Sequence, residues 1–176
     1  MTVIIIILIA WFIVYLIRSS NTTEHYVERP RENTPVSNPI MNLYSGLTLQ
    51  QKYAILILYP AVAGPLNHKN IDRSIEVERI IDKATRLLGV NLQQATDYFR
   101  IRGMYNVETI MCTISNKTLL DCLLVEYTYL IELVENKAEK EKSIAILVNV
   151  YEKLGYTNDD MFKVLDKAIA MGKLFN

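Results

Sequence analysis

The sequence predicts an all-α protein, a compact bundle of about seven helices built from two helical-hairpin repeats and preceded by a single transmembrane helix. Three observations lead to this fold class. Apolar residues recur at helical spacing along the body, and no segment shows the alternation of a strand. Several helical runs begin at a capping residue and end at glycine. The chain also opens with an uninterrupted apolar segment.

This opening segment is predicted to be a membrane anchor of residues 1–18. Every residue from position 3 to position 17 is apolar or aromatic, and the first charge is Arg18. About 17 apolar residues are the lower limit for crossing a bilayer, so membrane lipid is the expected partner of residues 1–17. The alternative is a cleaved secretory signal. The start lacks a basic region and the segment after Leu16 offers no small-x-small cleavage site, so we expect the anchor to be retained.

Residues 19–42 are predicted to be a flexible polar linker, because they contain several prolines and show neither helical nor strand periodicity. The basic residues nearest the anchor follow it on the C-terminal side: Arg18, Arg29 and Arg31. By the positive-inside tendency these charges keep the body, residues 43–176, in the cytoplasm. The chain is therefore predicted to be a single-pass membrane protein.

Composition argues against several classes of function. Lys and Arg number 19 and Asp and Glu number 19, so no net charge draws the chain to nucleic acid, and no nucleic-acid partner is expected. Cys112 and Cys122 are too few for a disulfide framework and are predicted to be reduced thiols in the core. The histidines, His25 and His68, match no metal-ligand spacing with them.

The first two helices form a predicted hairpin. Thr48 and Gln51 make a capping box that opens an apolar run over residues 53–58. Pro60 and then Gly64-Pro65 are expected to end this helix. The second helix is predicted to stop at Gly89, with these residues facing inward: Ile75, Ile80, Ile81, Ala84 and Leu88.

Two shorter helices follow, and then the longest apolar run. Asn91, with Gln94, is predicted to cap a third helix that ends at Gly103, and Asn106 to start a short fourth over residues 107–114. A fifth helix, opened by Ser115 or Asn116, is predicted to be central because its apolar face is wide. That face comprises Leu119, Leu120, Leu123, Leu124, Tyr127, Leu130, Ile131 and Val134.

A charged break over residues 135–142 is expected to separate the fifth helix from the sixth, which stops at Gly155. Apolar positions of the sixth are Ile144, Leu147, Val148, Tyr151 and Leu154. Thr157 and Asp160 are predicted to cap a seventh helix that ends at Gly172, with Val164, Leu165 and Ala168 facing inward.

The chain contains an internal similarity. Residues 48–91 and 118–157 each run from an apolar helix through a polar turn into a helix that ends in Leu-Gly, and Leu88-Gly89 matches Leu154-Gly155. A capping residue and a further helix follow in both. This predicts a duplicated helical hairpin packed around one core.

The two hairpins closing on Leu-Gly, together with the anchor, resemble the TerB-like domains over about residues 47–165. These are small all-helical modules named for tellurite resistance, and a membrane-anchored version occurs at the start of a DnaJ-type co-chaperone. The family's hairpin signature is Ala-Asp-Gly followed by a Glu, and its acidic residues are associated with metal binding. Here Ala63-Gly64 lacks the Asp, and Glu135-Asn136 stands where Asp-Gly would be.

The resemblance nevertheless implies candidate metal ligands in the second hairpin, Glu135, Glu139 and Glu141. Three glutamates fall short of the six to eight oxygen ligands that calcium takes. The alternative is that Glu139 and Glu141 lie in the first turn of the sixth helix, where the dipole favours acids, while Lys137, Lys140 and Lys142 offset the negative potential. No cofactor is expected, with a divalent cation as the one candidate.

No catalytic motif is present in the sequence, which lacks a phosphate-binding glycine loop, His-Glu-x-x-His and Gly-x-Ser-x-Gly. Packing is expected to explain the helically spaced tyrosines, Tyr127, Tyr129, Tyr151 and Tyr156. Arg100 and Arg102 are interpreted as stabilising a helix end through its dipole.

The sequence thus predicts a non-enzymatic, membrane-tethered scaffold or interaction module with an unidentified protein partner. It would act at the bacterial inner membrane, in envelope or stress response. The alternatives are an acidic metal-binding module of the tellurite-resistance type and a small hydrolase.

Overall fold

A computed structural model describes residues 43–64 and 71–170, which belong to the unit Asn38–Asn176. The predicted anchor and linker lie outside the described residues, as do His25, His68 and Gly172. Among the helices that are described, none is both long and apolar enough to cross a membrane.

Within these ranges the chain forms seven α-helices and no strand, which confirms the predicted all-α class. The helices are α1 Leu49–Ala63, α2 Ile71–Leu88, α3 Leu92–Arg102, α4 Met104–Met111, α5 Lys117–Leu133, α6 Lys137–Lys153 and α7 Asn158–Ala170.

Helix α1 begins at its predicted cap and ends at the second of its two predicted stops. The Thr48 hydroxyl accepts a hydrogen bond from the Gln51 amide, and the Gln51 side chain accepts one from the Thr48 amide, which is the expected capping box. Pro60 was expected to end the helix and does not, because α1 continues through it to Ala63, whereas the end expected at Gly64 is confirmed. Pro60 cannot donate to the Leu56 carbonyl. Burial of the flanking turns holds the helix together in spite of that loss.

Helices α1 and α5 lie at the centre of the fold. Helix α1 packs against α2, α3, α4, α5 and α6, and α5 packs against α1, α2, α6 and α7. The apolar face predicted for α5 is entirely buried. Helix α1 was not predicted to be central, yet no residue from Gln51 to Ala63 is exposed and seven of them are buried. These are Ala54, Ile55, Leu56, Leu58, Tyr59, Val62 and Ala63.

The two predicted repeats pack in the same order. In the first, α2 and α3 both pack on α1, and in the second, α6 and α7 both pack on α5. Gly89 and Gly155 end α2 and α6 with φ of 64° and 84°, the left-handed conformation expected at both positions. The two halves meet along α1 and α5.

One predicted core position of α2 is wrong. The helix buries Val77, Ile81, Ala84 and Leu88, whereas Ile75 is exposed. Ile75 precedes Val77 by two residues, which corresponds to about 200° around a helix, so the two side chains point to opposite sides. Ile80, also expected to face inward, is half-buried.

Three helix boundaries differ from the prediction. Asn91 caps α3 through the Gln93 amide, not through a box with Gln94. Helix α4 spans Met104–Met111 and not residues 107–114, and Asn106 lies inside it, where its side chain donates to the Arg102 carbonyl. Helix α6 begins at Lys137, so most of the predicted charged break is helical.

The two cysteines are exposed, and the prediction that they are core residues is wrong. Cys122 follows Leu120 and precedes Leu123 in α5, but adjacent residues of a helix are separated by about 100° and do not share a face. Cys112 lies just after α4, where its thiol is 3.4 Å from the Lys153 carbonyl oxygen.

Candidate functional site

The predicted metal ligands lie in and after the tight turn between α5 and α6: Glu135 in the turn, Glu139 in the first turn of α6, and Glu141 beyond it. Val134 ends α5, and Asn136 caps α6 by accepting hydrogen bonds from the amides of Ala138 and Glu139 at 2.9 and 3.2 Å. This asparagine occupies the amide donors at the start of α6 that would otherwise attract an anion. The cap explains why a charged segment begins a helix at this point.

The three predicted ligands are not gathered into one site. The Glu135 carboxylate lies 3.8 Å from the Arg73 guanidinium of α2, and Glu139 lies 2.7 Å from the ammonium of Lys142. Glu141 is exposed. In the described part of the chain, no three His, Cys, Asp or Glu side chains are placed to hold a metal ion.

A buried ion pair lies beside this turn, and sequence reasoning missed it. The Lys140 ammonium of α6 is 3.1 Å from the Glu132 carboxylate of α5, whose side chain is only 11% exposed. Burial raises the pKa of Glu132 from 4.5 to about 7, although Lys140 and Arg73 oppose the shift. Desolvation therefore outweighs the attraction of the two cations.

One sequence signal could have indicated this pair. Glu132 is a charged residue in the last turn of the apolar run of α5, next to Ile131, and the short turn after it returns the chain against the same helix. We interpreted Lys140 only as a solvated residue. Its burial depends on how α6 packs on α5, which helical periodicity does not determine.

Tyrosines bridge the helices of the core. The Tyr127 hydroxyl donates to the Ile55 carbonyl at 2.9 Å, and the Tyr151 hydroxyl donates to the Leu120 carbonyl at 2.7 Å. Tyr156 donates to the Asp121 carboxylate at 2.6 Å. Tyr127, Tyr151 and Tyr156 are buried and Tyr129 is half-buried, so packing explains all four, as predicted.

Four large apolar side chains remain exposed among the described residues, on three helices. Ile71 and Ile75, 73% and 57% exposed, occur four positions apart in α2 and therefore share one side of it. Ile101 belongs to the last turn of α3, and Leu49 to the first turn of α1. We call the α2 pair the Ile71/Ile75 face.

We predict that the three glutamates of the α5–α6 hairpin bind calcium or magnesium no more tightly than about millimolar, the weak end for oxygen-ligand sites. The reason is that Arg73 and Lys142 already contact Glu135 and Glu139. Calorimetric titration of the chain without residues 1–17 measures this. Micromolar affinity that Glu135→Gln with Glu139→Gln abolishes would contradict the prediction and establish a metal site.

In comparisons with known proteins, no family model, no curated protein and no solved structure matches this chain. The resemblance to TerB-like domains accordingly stays a prediction from sequence.

Proposed function

We propose that this chain is a membrane-tethered interaction module without catalytic activity, which presents the Ile71/Ile75 face to a partner protein. The observation that carries the proposal is the exposure of these two isoleucines, 73% and 57%, side by side on a helix. A contiguous exposed apolar patch with polar residues around it marks an interaction surface.

The surroundings of this face suit a protein interface. Exposed charged residues flank it along α2, Glu78 and Asp82 of one sign and Arg79 and Arg86 of the other. An apolar centre with a polar, mixed-charge rim is the usual anatomy of an interface. Two isoleucines four residues apart match the spacing at which one helix packs along another, so the partner class we propose is an amphipathic helix.

The tether follows from the sequence of the first 42 residues. The uncharged apolar segment of residues 1–17 has the composition of a membrane helix, and the prolines after it suit a linker. A compact helical body on such a tether can present a surface close to the bilayer. We place this body on the cytoplasmic side of a bacterial inner membrane, and the resemblance to TerB-like domains suggests a role in envelope or stress response.

The metal-binding alternative has less support. A hard cation needs several unneutralised carboxylates. Glu135 and Glu139 each contact a basic side chain, and the Lys140 ammonium lies nearby, 3.1 Å from Glu132.

Site-specific photocrosslinking in cells tests the interaction surface. A photoreactive residue at position 71 or 75 should form one discrete adduct with another protein, whereas the same residue at position 152 of α6 or 163 of α7, exposed on other helices, should give much less. The paired substitution Ile71→Ser with Ile75→Ser should remove the adduct formed from position 78, which flanks the face. Equal labelling from all positions would contradict a specific face, and an adduct of twice the chain mass would identify the partner as a second copy.

Fractionation tests the tether separately. The full chain should stay in the membrane after carbonate extraction, and the chain without residues 1–17 should be soluble and helical by circular dichroism. Release of the full chain by carbonate would contradict the anchor. Aggregation of the shortened chain would show that the first residues belong to the core.

A further inference from the structure

The end of α3 combines features that its role in helix stability does not explain. Ile101 is 84% exposed, more than any other large apolar residue described, and it stands between Arg100 and Arg102. Arg102 donates a hydrogen bond to the Tyr98 carbonyl at 3.2 Å, which accounts for one arginine as a stabiliser of the helix end. Nothing in the fold accounts for the exposed isoleucine. We call residues 100–102 the α3 tip.

Aromatic side chains pack against the α3 tip. The Arg102 guanidinium lies 4.1 Å from the centre of the Tyr98 ring, and the Tyr98 and Tyr53 rings are 5.6 Å apart. Arginine stacked on tyrosine keeps its outer N–H groups available to acceptors. Proteins also place this combination, a tyrosine and an arginine beside an exposed apolar side chain, at the membrane–water interface.

The α3 tip lies close to the beginning of α1. Tyr53, which contacts Tyr98, lies in the second turn of α1, one turn after the exposed Leu49. Helix α1 is the first helix after residues 1–42. The α3 tip therefore lies beside the first turns of α1.

We propose that the α3 tip contacts the anionic surface of the membrane to which the chain is tethered. Ile101 would enter the boundary between headgroups and acyl chains, and Arg100 and Arg102 would extend to lipid phosphates. Arg100 lies 3.7 Å from Asp97, but both are exposed, so the arginine exchanges this weak pair for phosphate at little cost.

This inference rests on the proposed tether, because a tethered body needs only a weak contact with the lipid to stay at the membrane surface. A flexible linker the length of residues 19–42 has a root-mean-square span of roughly 25–30 Å. The body is then confined near the bilayer, and a second attachment point operates at high effective concentration. The contact would orient the Ile71/Ile75 face relative to the membrane.

Fluorescence quenching in vesicles tests the contact with the full chain. An environment-sensitive dye is attached through Ile101→Cys in a chain that also carries Cys112→Ser and Cys122→Ser, and the vesicle lipids carry an acyl-chain nitroxide. Ile75→Cys, another exposed isoleucine on a different helix, is the matched position. We expect several-fold stronger quenching at position 101 than at position 75 in phosphatidylcholine vesicles that contain phosphatidylglycerol, and loss of the difference without phosphatidylglycerol or at high salt.

Charge variants test the contribution of the two arginines to this lipid contact. Each of Arg100→Gln and Arg102→Gln should weaken the contact equilibrium roughly five-fold, the effect of one arginine near an anionic surface. Arg79→Gln, which removes a guanidinium that is 72% exposed against 73% for Arg100, should leave the quenching unchanged.

Carbonate extraction of the same vesicles separates the two proposals. If the vesicles retain the chain and quenching is equal at positions 101 and 75, the lipid contact is wrong. The proposed tether is then still supported. If carbonate releases the chain, the anchor is wrong, and the ratio between the two positions still decides whether the α3 tip meets lipid.

Discussion

Leu123→Ala should destabilise the body by about 2–5 kcal/mol, the usual cost of removing a buried leucine side chain and leaving a cavity. Leu123 is completely buried in α5, one of the two helices around which the others pack. The loss is read from urea unfolding of the chain without residues 1–17, followed by far-ultraviolet circular dichroism, with the slope of the transition checked for two-state behaviour.

The matched control is the neighbouring exposed position in the same helix. Cys122→Ala should change the free energy of unfolding by no more than about 0.5 kcal/mol, as surface substitutions do. A loss below about 0.5 kcal/mol for Leu123→Ala itself would mean that α5 is peripheral and that the arrangement of the core is wrong.

Glu132→Gln should remove a pH dependence of stability. The pKa of Glu132 is about 7 in the fold against an ordinary 4.5, so between these values the folded state holds a proton that the unfolded state has released. Stability is therefore lost as pH rises through this window and is constant above it. At 1.36 kcal/mol per pKa unit, the loss from this carboxyl is on the order of 3 kcal/mol.

Urea unfolding of both chains from pH 4.5 to pH 8 measures this difference. The stability of the native chain relative to Glu132→Gln should fall from pH 4.5 to about pH 7 and then level off, because glutamine does not ionise. Glu135→Gln is the control, since that carboxylate is more exposed and lies 3.8 Å from its partner Arg73. Parallel profiles, or a native chain that gains stability as pH rises, would show that Lys140 dominates and that Glu132 is ionised throughout.

Local sequence signals predicted the helix ends well. The boxes at Thr48 with Gln51 and at Thr157 with Asp160 both form. Gly89, Gly103 and Gly155 all have positive φ where helices end. These features depend on residues within one turn of each other, so the sequence contains all the information that they need. Pro60 and Asn106 are exceptions: tertiary burial compensates for the hydrogen bond that Pro60 removes, and Asn106 lies inside α4 and does not begin it.

The exposure of single side chains was predicted less well. Ile75 was assigned to the core from helical spacing, Cys112 and Cys122 were assigned to it from apolar neighbours in the sequence, and all three are exposed. Glu132 was not considered, and it is nearly buried beside Lys140. The composition of a segment indicates that a helix packs on something, whereas the direction of packing selects which of its residues are covered.

By itself the sequence determined the all-α class, the central face of α5, the caps and the glycine ends of the helices. All of these follow from apolar spacing and from contacts within a turn. Only the tertiary structure decided that α1 is enclosed, that Glu132 meets Lys140, and that Ile71, Ile75 and Ile101 face outward. The physical reason is that burial and pairing depend on distances between helices far apart in the chain, and one-dimensional periodicity does not contain those distances.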